Sequence, residues 1–202
     1  MEERFYFTIE FVPEHADNEL LAGRCIQALH GFMGANRHLM HKLGVSFPCW
    51  NQQSVGDVIA FVGMNEKDLV GLSYQPYFSR LVSDELFELS DVSPVPDGLP
   101  EVKFVRNQTI GKMFVASKKR RIERSVRRNN THTPTSSEDR EFEHFHRVPI
   151  ASQKSGQDFV LHIQKSIPEN DEIGEFNSYG FSTNSMWKGT VPDFGFTLFS
   201  DV

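Results

Sequence analysis

Apolar and polar positions alternate from the start of the chain. In "RFYFTIEFV" (4–12), Phe5, Phe7, Ile9 and Phe11 fall on one face, the period of a half-buried strand. The period then changes. "HADNELLAGRCIQALHGFMG" (15–34) has helical spacing, with Asp17 or Asn18 as N-cap and Gly34 as stop. "LGVSFP" (43–48) predicts a short strand ended by Pro48, and "SVGDVIAFVG" (54–63) another. "NEKDLVGLS" (65–73) predicts a short helix opened by Asn65. "LFELSDVSPVP" (86–96) alternates again before the turn-rich "VPDGLP". This β-α-β-β-α-β order predicts an α+β fold that opens with a ferredoxin-like (RRM-like) domain over 1–98.

The turn at 97–100 marks the expected domain boundary, and 99–202 reads as a smaller α+β domain. Its elements are a strand (101–107), a basic helix (about 113–128) and a polar loop, "NNTHTPTSSEDRE", with the composition of a mobile segment. Three further strands are predicted at 142–151, 157–165 and 174–181.

Charge changes the picture most. The net charge is −6, yet Lys118, Lys119, Arg120, Arg121, Arg124, Arg127 and Arg128 stand together with one acid, Glu123, among them. On a helical wheel Val115, Ile122 and Val126 form a narrow apolar stripe, and the five arginines occupy the opposite half. A solvated helix face usually mixes signs, because like charges at i,i+4 repel. Arg120/Arg124 and Arg124/Arg128 are such pairs. The row of guanidinium groups points to a polyanion, and nucleic acid fits it best, since one helix can track several phosphates. A membrane surface fits worse, because the apolar stripe is narrow.

Composition sets the remaining bounds. Aromatics make up 12% of the 202 residues, with 18 Phe, enough to fill a core. No apolar run approaches the roughly 20 residues needed to span a bilayer. Cys25 and Cys49 form no framework and no metal-ligand spacing, which suits a reducing, cytoplasmic compartment.

Candidate chemistry is sparse. His30 falls opposite the stripe formed by Leu21, Cys25, Ala28 and Phe32, near the end of its helix. "ASQKSGQDFVLHI" (151–163) offers Ser152 and Ser155 beside Gly156, either as ligand-binding hydroxyls or as a polar hairpin turn. "FNSYGFS" (176–182) places Tyr179 before Gly180 at a strand end, where buried tyrosines are common. His144 and His146 share a strand face, but with no third ligand in view they read as no metal site.

Taken in order, "LHGF", "LGVSFP", the arginine-rich helix, "SQKSGQDF" (152–159), "SYGFS" (178–182) and "VPDF" (191–194) resemble the CRISPR repeat-processing endoribonucleases of type I-F systems. The resemblance runs from about residue 4 to residue 194. It implies a ferredoxin-like domain joined to a second domain whose arginine helix lies in the major groove of the repeat hairpin. It implies cleavage at the base of the stem without metal or cofactor, by attack of a 2′-hydroxyl on the adjacent phosphate. By the same resemblance His30 is the base, Ser152 holds the ribose and Tyr179 positions the histidine. Arg106 and Gln108 read base edges, and Phe159 stacks beneath the last base pair. Lys154 departs from the family, standing where a serine can occur between Ser152 and Ser155; the expected role is a phosphate contact or support of the cleaved phosphate. The implied partners are the crRNA 3′ hairpin and the other subunits of the type I-F interference complex. A non-catalytic hairpin-binding subunit is the alternative that shares the arginine helix.

Overall fold

The computed structural model describes residues 3–113, 143–151, 158–168 and 173–195. The chain is α+β, and its strands form two antiparallel sheets. The first holds β1 (Phe5–Phe11), β2 (Gly44–Ser46), β3 (Val58–Gly63) and β4 (Phe87–Leu89) in the order β2-β3-β1-β4. Phe7 pairs with Phe61 and Ile9 with Ile59, so the alternation of β1 buries Phe7, Ile9 and Phe11 together. Helices α1 (Asn18–Ala35), α2 (Glu66–Ser73) and α3 (Pro76–Ser83) accompany this sheet.

Two departures from the expected elements have local causes. Helix α3 was not anticipated, although Pro76 at its first turn and the inward spacing of Phe78 and Leu81 are legible signals. The single strand expected over 86–96 is instead β4 and a short β5 (Ser93–Pro94), which pair with opposite ends of β1. Ser90 divides them: its Oγ accepts from the Thr8 amide at 2.9 Å, taking a bond a continuous strand would supply from its backbone.

The second sheet holds β6 (Glu101–Arg106), β7 (His146–Ala151), β8 (Asp158–Ser166) and β9 (Val191–Pro192) in the order β7-β8-β6-β9. A short helix, α4 (Gln108–Met113), follows β6. The strand expected over 174–181 is not formed. Asn177 Oδ1 accepts from the amides of Tyr179 (2.8 Å) and Phe181 (3.3 Å), and Gly180 has φ +82°, so this segment is a turn. The basic helix of 113–128 lies outside the described residues beyond Met113.

Buried residues of both sheets form one cluster. Phe47 meets Phe104 edge-on at 5.2 Å, and Tyr6 meets Phe194 at 4.6 Å. Each fully buried ring contributes about 1.5–3 kcal/mol. Helix α1 touches the second sheet so closely that a Cβ at Gly23 would overlap the Pro149 carbonyl oxygen. Among the described residues no helix is long and apolar enough to cross a membrane.

Candidate active site

Helix α1 carries the first site residue. Asp17 caps it by accepting from the Leu20 amide at 2.9 Å, and Asn36 closes it, its side chain donating to the Phe32 carbonyl at 3.0 Å. Gly34, expected to stop the helix, lies within its last turn. The buried arc runs through Ala22, Gly23, Cys25, Ile26, Leu29 and Met33. This arc is rotated from the expected stripe, because α1 is covered by the second sheet as well as the first. His30 therefore stands at the edge of the arc and is half-buried, instead of opposite it.

What covers His30 is the turn 177–180. The Ser178 carbonyl lies 2.7 Å from His30 Nδ1. A carbonyl only accepts, so Nδ1 carries a proton, and in the neutral form of the ring the lone pair is then on Nε2. The imidazole also stacks on Tyr179, with centroids 4.4 Å apart and planes at 13°. The turn is built by Asn177, whose main-chain carbonyl accepts from Gly180 N at 2.9 Å and whose side chain accepts from two amides. Gly180 answers with its own carbonyl, which accepts from Val45 N at 2.9 Å and fixes the turn to β2. Asn at the first and Gly at the fourth position of a tight turn is a readable signal. The sequence reading missed both Asn177 and the role of the Ser178 main chain.

Two more side chains reach the same tyrosine. Arg106, the last residue of β6, places its guanidinium carbon 5.0 Å from the Tyr179 ring centre. Burial draws its pKa down, opposed by the Tyr179 phenol. Phe159, in β8, meets Tyr179 edge-on at 6.0 Å and 72°. His30, Arg106, Phe159 and Tyr179, scattered over the sequence, thus gather around one ring. Arg106 is also tied through its amide to the Ser182 carbonyl at 2.9 Å.

The other named residues stand apart or fall outside. Gln108 opens α4 and is exposed, two residues beyond Arg106. Between them Asn107 is buried; its Oδ1 accepts from Thr109 N at 3.0 Å and its Nδ2 donates to Gln164 at 2.8 Å, which sets the start of α4. Ser152, Lys154, Ser155, Lys118, Lys119, Arg120, Arg121, Arg124, Arg127 and Arg128 lie outside the described residues. The cysteines supply no competing nucleophile: burial pushes the Cys25 thiol up, and burial with Asp57 alongside pushes Cys49 up to about 12.

The cluster therefore offers an imidazole whose Nδ1 side is engaged by a carbonyl, a stacked phenol, a partly desolvated guanidinium and a second aromatic face. Such a set can accept a proton from a hydroxyl and hold an anion and a base beside it. No curated protein matches the chain. A family model described as CRISPR-associated protein (Cas_Csy4) matches residues 6–194.

Proposed function

Since the chain belongs to the Cas_Csy4 family of type I-F CRISPR repeat-processing endoribonucleases, we propose that it cuts CRISPR repeat RNA at the base of the repeat hairpin and needs no metal to do so. The observation that carries this reading is the Ser178 carbonyl oxygen 2.7 Å from His30 Nδ1. With Nδ1–H donated to the Ser178 carbonyl, Nε2 is the basic nitrogen. It takes the proton of the ribose 2′-hydroxyl as that oxygen attacks the adjacent phosphorus. The bond from phosphorus to the 5′-oxygen breaks, and that oxygen takes a proton from solvent, or the one His30 has gained, and leaves as a 5′-hydroxyl. The other product end is a 2′,3′-cyclic phosphate. No water enters, so positioning supplies most of the acceleration.

In this reading Tyr179 holds the imidazole by stacking, and Ser152 holds the ribose. Arg106 and Gln108 read the edges of the basal pair, while Phe159 stacks beneath it. Lys154 contributes a phosphate contact or support for the cleaved phosphate, and Ser155 a hydrogen bond to the RNA. The arginine-rich stretch from Lys118 to Arg128 binds the phosphates of the stem, which also keeps the protein on the 3′ hairpin of its product as a subunit of the interference complex.

The test is incubation with the cognate repeat RNA in EDTA, followed by analysis of the product ends. The expected result is one cut with a cyclic phosphate and a 5′-hydroxyl, and no cut when the sugar at that position is 2′-deoxy. Tight binding of the hairpin without any cleavage would establish the hairpin-binding subunit instead.

A further inference from the structure

Away from His30, the start of β7 places two imidazoles against a main-chain carbonyl. His146 Nε2 lies 3.2 Å from His144 Nε2 and 2.8 Å from the Asn51 carbonyl oxygen. On the other side of the ring, His146 Nδ1 lies 3.9 Å from Glu19 Oε1. We propose that His144, His146 and the Asn51 carbonyl form a site for a divalent transition-metal ion of the copper(II) and zinc(II) class, clipping the second sheet to the first.

Proton accounting is the first argument. His146 Nε2 faces both the Asn51 carbonyl oxygen and a second imidazole nitrogen, while the Glu19 carboxylate stands beyond hydrogen-bond reach of Nδ1. With the proton on Nε2, the ring serves Asn51, and the Nδ1 lone pair faces the Glu19 carboxylate. With the proton on Nδ1, the Nε2 lone pair faces the carbonyl oxygen and the second imidazole. A cation beside Nε2 would take lone pairs from His146, from His144 and from the carbonyl, leaving the Nδ1 proton on the side of Glu19. Glu19 is itself fixed, its Oε1 accepting from the Val55 amide at 3.2 Å. A carboxylate behind a ligating histidine is the usual support for such a site.

Spacing and chemistry are the second. Metal bonds of about 2.0–2.1 Å put neighbouring ligand atoms about 2.9 Å apart at a right angle and about 3.3 Å apart at a tetrahedral angle. The observed separations fall in or beside that range. Two imidazoles favour copper, zinc or nickel over magnesium or calcium. Among the described residues no three His, Cys, Asp or Glu side chains are grouped around one ion. The third donor here is main chain, supplied by the loop between β2 and β3, and for that reason it cannot be read from the sequence. His146 is 6% exposed, while His144 is exposed and leaves an entry.

Trp50 provides the probe, because its ring lies 4.4 Å from the His146 ring and 6.4 Å from that of His144. The full chain, stripped with EDTA and dialysed, is titrated with copper(II) chloride, and its melting temperature is read with and without zinc(II) chloride. The expected result is saturable quenching at one copper per chain and a raised melting temperature with zinc. His144→Ala, a change at an exposed position, should weaken copper binding more than tenfold. Glu19→Gln, which keeps an acceptor for Val55, should weaken it about tenfold. Affinity unchanged in His144→Ala, or quenching undiminished in Trp50→Phe, would overturn the proposal. RNA cleavage is read separately in EDTA, so a failure of the cleavage reading leaves this result intact.

Discussion

His30 owes its proton placement to a main-chain oxygen, and Tyr179 holds its plane. Replacing His30 by Ala should leave hairpin affinity within a few-fold of wild type if, as proposed, the arginine-rich stretch supplies the binding. The rate of cleavage should fall by roughly 10²–10⁴-fold, the usual worth of a positioned acid–base group. Single-turnover cleavage beside a binding titration separates the two effects, and an unchanged rate removes His30 from the mechanism. Arg106 rests on the Tyr179 ring in the free protein. Arg106→Ala should cost about 1–3 kcal/mol against the cognate hairpin and much less against one with an altered basal pair. Equal losses on both RNAs would make Arg106 a phosphate contact.

At the scale of elements, the turn 177–180 decides whether the cluster forms. A Cβ at Gly180 would lie 2.6 Å from Val45 Cγ2 and 2.9 Å from Leu29 Cδ2, at a φ of +82°. Gly180→Ala should therefore destabilise the fold by about 1–3 kcal/mol in a denaturant titration. Cleavage should fall further than stability alone explains, because Tyr179 moves with the turn. The arginine-rich stretch carries its own expectation. Five phosphate contacts give a log–log salt slope of roughly −3.5 to −4.5, at about −0.7 to −0.9 per contact, and Arg124→Ala should flatten it by one contact. A wild-type slope near zero would contradict groove binding.

Periodicity made β1, α1, β3 and α2 legible, because each buries one strong pattern against the core. It misread 174–181, where a side chain captured the amides that a strand would have shared. It also placed His30 opposite the buried face of α1, since a wheel drawn for one packing surface cannot show a second. Main-chain partners such as the Ser178 and Asn51 carbonyls carry no sequence signature at all.

Across the whole molecule the two sheets share one core, and a buried histidine couples it to pH. His162, in β8, is 7% exposed; burial and the nearby Arg147 hold it below the ordinary imidazole range. A histidine depressed in the folded state adds stability above its unfolded pKa of about 6.5, and that stability is lost as pH falls toward the folded value. The melting temperature should therefore drop between pH 7.5 and 5.5, and His162→Leu should lessen the drop. The cluster around Tyr179 has a further consequence. Its histidine comes from before the 97–100 segment, while Arg106, Phe159 and Tyr179 come from after it. Two polypeptides made by cutting the gene at that segment would each be silent. Mixed, they would regain cleavage only as they dock, so the released RNA end would report fragment complementation in real time.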